Sequence, residues 1–185
     1  MNYSDSMRSQ DLERILVSEE SIRKRISELG REIDAAYEGK EILLVTLLNG
    51  AIVFTADLIR NIRRPLWLDS LRARSYGEGT TSSGTPEITG DLRLPVEGSD
   101  VLLVDDILDT GNTLSRVTTE LSRRNPASIK SCVLLDKKER RQTDFEADWV
   151  GFEIPDHFVV GYGLDYAERY RHFPYVGILK PEIYS

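Results

Sequence analysis

Short runs of branched apolar residues alternate along the chain with segments whose apolar residues recur every three or four positions. Runs of the first kind predict buried strands, and segments of the second kind predict amphipathic helices. The predicted strands are Ile42–Leu48, Leu66–Arg74, Val101–Ile107, Ile129–Leu135, Phe158–Tyr162 and Val176–Leu179. Such alternation predicts an α/β fold, with a mostly parallel sheet flanked by helices.

Three amphipathic helices are predicted between these strands. The first begins after Ser18 as its N-cap and ends at Gly39. The second runs from about Gly50 to Arg60, and the third follows the strand that starts at Val101. The apolar positions expected to face inward are Ile22, Ile26, Leu29, Ile33 and Tyr37 in the first helix, Ile52, Val53, Ala56 and Ile59 in the second, and Leu114, Val117 and Leu121 in the third.

The pattern predicts one domain over residues 1–185, because no long linker, repeat or low-complexity tract interrupts it. Residues 1–11 form a polar lead. Residues 75–90 are mostly Gly, Ser, Thr, Glu and Pro, which predicts a mobile loop. Asp91–Leu94 is expected to form a hairpin arm with the strand before that loop. From about Gln142 the chain is expected to be strand and loop, forming a small C-terminal hood lobe.

The composition and charge limit the compartment and the binding partners expected for this protein. The net charge is −7, which argues against a nucleic-acid-binding surface. The single cysteine, Cys132, cannot form an internal disulfide and fits a reducing compartment. Met1–Gln10 lacks the apolar stretch of a secretory signal, and no apolar run reaches the length of a membrane span. We therefore expect a cytoplasmic protein that contacts neither nucleic acid nor membrane.

The candidate chemistry lies where the strand from Val101 ends. Two adjacent carboxylates, Asp105 and Asp106, end this apolar run, and Asp109 follows before the Thr110–Thr113 turn. Parallel sheets place ligand sites at the carboxyl ends of their strands, and a helix start offers N–H groups to an anion. Helix capping explains the third acid but not two neighbouring carboxylates, which are costly without a partner. The segment predicts acids for a metal or diol beside a phosphate cradle.

The stretch Val101–Leu114 resembles the phosphoribosyl-pyrophosphate motif of the type I phosphoribosyltransferases. That motif is an apolar strand, two acids, two mostly apolar residues, Asp-Thr-Gly, one variable residue and Thr. Residues 150–166 are similar to the C-terminal signature of the subgroup that salvages hypoxanthine and guanine. The resemblance covers nearly the whole chain from about Leu12. It implies a Mg²⁺-dependent transfer of 5-phosphoribosyl to N9 of a 6-oxopurine, which gives IMP or GMP and pyrophosphate.

The resemblance also implies roles for residues on the donor side. Asp109 is expected to be the catalytic group near purine N7. Asp105 and Asp106 would engage the ribose diol and hydrated Mg²⁺, and Asp165 would hold a second Mg²⁺ through water. The Leu48-Asn49 bond stands where the family often has a cis peptide. The remaining donor-binding residues would be Thr110, Gly111, Asn112 and Thr113 at the 5′-phosphate, and Leu48, Asn49, Gly50 and Arg171 at the pyrophosphate.

On the base side, the resemblance assigns three residues to the purine. Lys137 would donate to O6, Phe158 would stack on the ring, and the backbone of Val159 would read the N1 edge. Ser75 and Tyr76 would head the loop that closes over the substrates. The rest of the basic cluster is expected to be a solvated face, made of Lys138, Arg140 and Arg141.

Two other functions stay open from the sequence. One is a regulator that keeps this fold and binds RNA or a protein, and the other is a pyrimidine or adenine enzyme. Lys137 and the Phe158-Val159 pair favour a 6-oxopurine, among which xanthine is not excluded. The family implies a homodimer or homotetramer. The preference between hypoxanthine and guanine, the oligomeric state, the Leu48-Asn49 isomer and the metal stoichiometry are not determined by the sequence.

Overall fold

The computed structural model of the protein describes residues 9–74 and 87–184. Short 3-10 turns lie at Ser9–Asp11 and Lys138–Arg140. In chain order, the strands and α-helices are β1 (Leu12–Val17), α1 (Glu19–Ala36), β2 (Ile42–Leu48), α2 (Ile52–Ile59), β3 (Leu66–Arg74), β4 (Glu87–Thr89), β5 (Asp100–Leu108), α3 (Asn112–Ser122), β6 (Ser128–Asp136), β7 (Trp149–Glu153), β8 (Val159–Val160), β9 (Val176–Leu179) and α4 (Pro181–Tyr184).

The main sheet has the strand order β4-β3-β2-β5-β6-β7. Its strands from β3 to β7 are parallel, and only β4 at the edge is antiparallel. Alternate residues of the central strands pack into the hydrophobic cores on opposite sides of the sheet, because successive side chains of a strand point to opposite faces. Leu102 and Val104 pack with α1 and α2, whereas Val101 and Leu103 pack with α3. The predicted class, a mostly parallel sheet flanked by helices, is confirmed.

A second, antiparallel sheet of three strands has the order β1-β9-β8. It brings the start of the described chain against its end, with Leu12 opposite Leu179 and Val17 opposite Val176. Its own small core contains Leu12, Val160 and Leu179. The predicted small lobe is therefore present, but it includes a strand that the sequence pattern did not predict, β1.

The helix α1 agrees with its prediction. The Ser18 side chain accepts a hydrogen bond from Ser21 N at 3.2 Å and so caps the first turn. All five residues predicted on its apolar face are buried, including Ile22, Ile33 and Tyr37. The apolar stripe is enough to specify this face, because charged residues fill the rest of the helix surface.

The inward face predicted for α2 is right for Val53 and Ile59, which pack against the core, and wrong for Ile52 and Ala56. Phe54, Thr55 and Leu58 are buried, whereas Ile52 is 53% exposed and Ala56 is exposed. This helix is apolar nearly all round, so its sequence pattern does not select one face. A buried hydrogen bond between the Thr46 and Thr55 hydroxyls, at 2.7 Å, lies between α2 and β2.

The predicted hairpin arm at Asp91–Leu94 is also wrong. The antiparallel partner of β3 is β4, which lies inside the segment predicted as a mobile loop, and Arg72 pairs with Thr89. The backbone N–H groups of Arg93 and Leu94 instead donate to the buried Asp69 carboxylate, at 2.6 and 3.0 Å. These bonds fold the segment over the end of β3 and remove it from the sheet.

Two strands near the C-terminus differ from the prediction. β7 joins the main sheet in parallel with β6, so this part of the chain after Gln142 does not belong to the small lobe. The strand predicted over Phe158–Tyr162 is shortened to β8, because Gly161 and Tyr162 have φ values of 98° and 53° and turn the chain away. Within the two described ranges, no helix is both long and apolar enough to cross a membrane.

Tyr37 gives a test of how α1 is held on the sheet. Its buried hydroxyl donates to the carbonyl of Val101 in β5 at 3.0 Å. Tyr37→Phe is expected to lower the free energy of unfolding by about 1 kcal/mol, because the buried carbonyl loses its donor. Urea denaturation measures this change. Tyr175→Phe, at a partly exposed ring, serves as the control and should change little; equal effects of the two substitutions would contradict the assignment.

Candidate active site

The carboxyl ends of β2, β3 and β5 surround a cavity of about 720 Å³. Parallel pairing puts these strand ends side by side, since Thr46 lies opposite Val104 and Leu48 opposite Arg72. The loop after β2, the turn before α3 and a C-terminal loop complete the walls. The predicted site residues that line the cavity are Leu48, Asn49, Gly50, Asp105, Asp106, Asp109, Thr110, Gly111, Thr113, Asp165 and Arg171.

Asp105 and Asp106 form a buried acidic pair at the end of β5. Asp105 is only 8% exposed, and its Oδ1 accepts a hydrogen bond from Asp106 N at 2.9 Å. Asp106 Oδ1 likewise accepts from Ile107 N at 3.0 Å. Burial and the charge of Asp106 hold the pKa of Asp105 well above its usual range, and burial also raises the pKa of Asp106. A cation or a hydroxyl donor at this pair would stabilise it.

The loop after β2 packs directly on Asp106. A Cβ at Gly50 would overlap Asp106 Oδ2, and a Cβ at Gly163 would overlap the carbonyl oxygen of Gly50. Gly163 also has a φ of +100°, which L side chains rarely adopt. The preceding bond, Leu48-Asn49, is a cis peptide, as in the family that the sequence resembles. Gly50 is therefore required for the loop after β2 to reach Asp106, and Gly163 is required for the C-terminal loop to pack on Gly50.

The turn that leads into α3 is arranged as an anion cradle. Gly111 stands at the N-cap with a φ of +85°, and a Cβ there would overlap the Thr143 hydroxyl. The first turn of α3 has no side-chain cap, although Asn112 N donates to Thr110 Oγ1 at 3.3 Å. Thr110, Gly111 and Thr113 line the cavity at the start of α3, where the helix dipole favours an anion.

Arg171 lies opposite the acidic pair and carries positive charge into the cavity. Its guanidinium donates to the carbonyl of Gly163 at 2.8 Å and lies 2.9 Å from Asp165 Oδ1. It also pairs with Glu168 at 2.7 Å. The field of Arg171 favours the charged form of Asp106 and so opposes the rise in its pKa. The structure therefore brings Asp165 and Arg171 together as an ion pair.

Asp109 projects from the loop between β5 and α3. Its Oδ1 is buried and accepts no hydrogen bond from the described part of the chain. Arg140 Nε lies 3.3 Å from this oxygen, which is an ion-pair distance without hydrogen-bond geometry. The charge of Arg140 compensates this oxygen electrostatically, but the oxygen can still accept a hydrogen bond from a ligand.

Arg141 supports the same loop from behind. Its guanidinium donates to the backbone carbonyls of Leu108 and Asp109, at 3.3 and 2.7 Å, and forms a short ion pair with Asp136, which is 1% exposed. The prediction of a solvated basic face is therefore wrong for Arg140 and Arg141. Lys138 does lie on the surface, where it pairs with Glu153 at 2.9 Å. Most of these partners lie in other segments of the chain, so the basic cluster by itself does not reveal them; Asp136, five residues before Arg141, is the local exception.

Lys137 ends β6 with an unusually buried ammonium group. It is 5% exposed, and its Nζ lies 3.6 Å from Asp156 Oδ1. Burial lowers the pKa of Lys137, while the charges of Asp109 and Asp156 oppose that shift. Asp156 also lies 3.8 Å from Arg140 Nη1, so Lys137 and Arg140 form one cluster of two cations and two acids with Asp109 and Asp156.

Phe158 and Val159 lie in the small lobe, outside the lining of the cavity. Val159 is buried, and its strand pairs with β9. Phe158 is half-buried and stacks on Tyr184 with the ring centroids 4.6 Å apart. The predicted loop residues Ser75 and Tyr76 lie outside the described residues. The structure therefore groups the predicted donor-side residues around the cavity, except for the side chain of Asn112, which donates to Gln142 at 3.1 Å. It leaves Lys137 and Phe158 at the margin.

The acids fit a hydrated Mg²⁺ better than an ion held by protein alone. Among residues 9–74 and 87–184, no group of three or more His, Cys, Asp or Glu side chains could hold a metal. Mg²⁺ commonly binds through one or two carboxylates, several waters and substrate phosphates. Asp105 and Asp106 fit that role, since neither forms an ion pair within the described ranges and only the more distant charge of Arg171 acts on Asp106. Asp165 is already paired with Arg171.

Comparison with known proteins identifies the family. The family model for the phosphoribosyl transferase domain matches residues 13–167, which is most of the chain. The protein belongs to this family. It is 49% identical to the hypoxanthine-guanine phosphoribosyltransferase of Bacillus subtilis (strain 168), over 97% of this chain and 99% of the relative.

Two further comparisons bear on the extent of the likeness. A crystal structure of a hypoxanthine phosphoribosyltransferase from Staphylococcus aureus has a TM-score of 0.90 and 46% identity, and covers 95% of this chain and 96% of that one. The bifunctional protein TilS/HprT of Listeria innocua is 51% identical over 95% of this chain. The chain spans 27% of the length of that relative.

The raised pKa of Asp105 predicts a variant more stable than the wild type. Between about pH 4, where Asp ionises in the unfolded chain, and the higher folded-state pKa, the unfolded state binds fewer protons. Wild-type stability therefore falls as the pH rises through this window. Asp105→Asn removes this loss, so it should be more stable than the wild type at pH 7.

Urea denaturation between pH 3.5 and 8 measures the difference. The advantage of Asp105→Asn should shrink toward zero at the acid end, where both states of the wild type are protonated. Asp144→Asn, at an exposed position, is the control and should show little change. A difference that is constant across this pH range, or a variant that is less stable at pH 7, would contradict the raised pKa.

Proposed function

We propose that this protein is a hypoxanthine-guanine phosphoribosyltransferase of purine salvage, which transfers 5-phosphoribosyl from phosphoribosyl pyrophosphate to hypoxanthine or guanine. The observation that supports this most strongly is the single cavity in which a buried acidic pair, a glycine loop, a helix start and Arg171 meet. Those groups match the ribose diol of the donor, which lies between a 5′-phosphate and a pyrophosphate. Relatives with this activity in their names are similar over nearly the whole chain.

The donor would lie along the carboxyl end of the sheet. The Thr110–Thr113 turn and the start of α3 would hold the 5′-phosphate through backbone N–H groups and hydroxyls. Asp105 and Asp106 would accept hydrogen bonds from the 2′- and 3′-hydroxyls of the ribose. The Leu48–Gly50 loop and Arg171 would bind the pyrophosphate, whose charge would release Arg171 from part of its pairing with Asp165.

The reaction exchanges two bonds at C1′ of the ribose. The bond from C1′ to the pyrophosphate oxygen breaks, its electron pair leaves with pyrophosphate, and N9 of the purine donates the pair for the new bond. The purine loses one proton. Asp109, with a buried oxygen that lacks a hydrogen-bond donor, would accept or hold that proton at N7. Exclusion of water would protect the sugar cation that develops.

Mg²⁺ would be held by Asp105 and Asp106 largely through water, with Asp165 near a second ion. When bound, it would neutralise charge on the departing pyrophosphate. The two carboxylates would orient the hydration shell, and in return the cation would favour their ionised forms. We propose both that the reaction requires Mg²⁺ and that two ions bind.

The base would be recognised at the margin between the cavity and the small lobe. Lys137 would donate to O6, which favours a 6-oxopurine over adenine because an amino group would face the ammonium donors. Phe158 would offer a ring face, and Val159 would use its backbone at the N1 edge. We further propose that the enzyme acts in the cytoplasm as a homodimer or homotetramer.

The direct test is an initial-rate assay with phosphoribosyl pyrophosphate and Mg²⁺ and, in parallel, hypoxanthine, guanine, xanthine, adenine and uracil. We expect turnover of hypoxanthine and guanine, little with adenine and uracil, and loss of turnover on chelation of Mg²⁺. Turnover confined to adenine or uracil would overturn the substrate assignment. Binding of the donor without turnover of any base would favour a regulator that keeps the fold.

Asp109→Asn tests the proposed proton acceptor. The substitution keeps the shape of the side chain but removes its charge, so kcat for hypoxanthine should fall by about 10²- to 10⁴-fold. KM values for both substrates should change much less, because the role belongs to the transition state. Asp144→Asn at the surface is the matched control. An unchanged kcat in Asp109→Asn would remove the assigned role.

A further inference from the structure

The C-terminal helix α4 covers one face of the aromatic ring that would receive the purine. The rings of Phe158 and Tyr184 have centroids 4.6 Å apart and planes 20° apart, which is a stacked pair. An aromatic ring has two faces, and an offset stack occupies one of them. A base stacked on Phe158 would therefore use the opposite face.

A third ring limits the orientation of this pair. Tyr166 meets Phe158 edge to face, with centroids 5.7 Å apart and planes at 86°, and lies 6.4 Å from Tyr184 at 66°. A ring held by one stacked neighbour and one perpendicular neighbour can tilt little without losing contact with at least one of them. The trio therefore fixes the plane of Phe158 before a base arrives.

Backbone hydrogen bonds hold Tyr184 in this position. Leu179 N, in β9, donates to the carbonyl of Phe158 at 2.9 Å, and Lys180 N donates to the carbonyl of Asp11 at 3.0 Å. Ile183 N donates to the carbonyl of Lys180 at 3.0 Å and closes the first turn of α4. The residues just before α4 are thus connected both to Phe158, which precedes β8, and to Asp11, which precedes β1.

We propose that Tyr184 is a positioning residue for the purine: its ring supports Phe158 from the face opposite the base and sets the plane on which a 6-oxopurine stacks. This inference rests on the proposed function, and it adds a residue to which no role is otherwise assigned. Because the contact acts on the base and not on the donor, it affects binding of the purine more than that of phosphoribosyl pyrophosphate.

Steady-state kinetics of three variants test the proposal. Tyr184→Ala should raise KM for hypoxanthine and guanine by about 2- to 10-fold, the range of one aromatic pair, with kcat and KM for the donor nearly unchanged. Tyr184→Phe keeps the stacked ring and should restore the wild-type KM for both bases. The control is Tyr175→Ala, because Tyr175 stacks on Phe173 in the same lobe at 5.3 Å and not on Phe158.

Three results would overturn the proposal. An unchanged purine KM in Tyr184→Ala would show that the stack has no role in base binding. A lower purine KM would show that Tyr184 competes with the base for the same ring face. A parallel rise in the KM for the donor, or the same effect in Tyr175→Ala, would indicate a general disturbance of the lobe. Thermal unfolding of each variant accompanies the kinetics.

Failure of the proposed function gives a different result. If wild-type protein turns over no base, equilibrium binding of hypoxanthine in the presence of pyrophosphate and Mg²⁺ replaces KM. Weaker binding by Tyr184→Ala and normal binding by Tyr184→Phe would still support the positioning role. Equal binding by all three proteins would overturn it, whatever the activity.

Discussion

The burial of two adjacent carboxylates at the end of β5 is the constraint on which the rest of the site depends. Asp105 and Asp106 lie where apolar strands end, and burial raises the pKa of both. A protein that only needed stability would place apolar or amide side chains there. Retaining the pair costs folding free energy, which a bound hydroxyl donor or cation would recover by stabilising the charged carboxylates.

The surrounding elements are shaped by the same pair. The loop after β2 reaches Asp106 only because Gly50 has no side chain, and the C-terminal loop reaches Gly50 only because Gly163 has none. Arg171 then lies close enough for its charge to act on Asp106. The end of β5, the loop after β2 and the C-terminal loop therefore meet at Asp106, although they are distant in sequence. The cavity is the space left between them.

The sequence predicts best what depends on local pattern. The candidate site at the end of β5 was predictable from the sequence, because carboxylates at the end of a buried apolar strand are costly without a partner. The face of α2 was not predictable, because that helix is apolar nearly all round. The ion pair of Arg140 with Asp109 and the stack of Phe158 on Tyr184 join residues far apart in the sequence, whose pairing no local spacing specifies. Such contacts arise only once β6, β8 and α4 are placed.

The most direct test measures unfolding free energies with and without phosphoribosyl pyrophosphate and Mg²⁺, for wild type and for Asp105→Asn/Asp106→Asn. A ligand that binds only the folded state stabilises it by about 2.7 kcal/mol at a hundred times its Kd. The account predicts that the double variant is more stable than wild type without the donor, and that the donor stabilises wild type alone. Equal stabilisation of both proteins, or none of wild type, would contradict it.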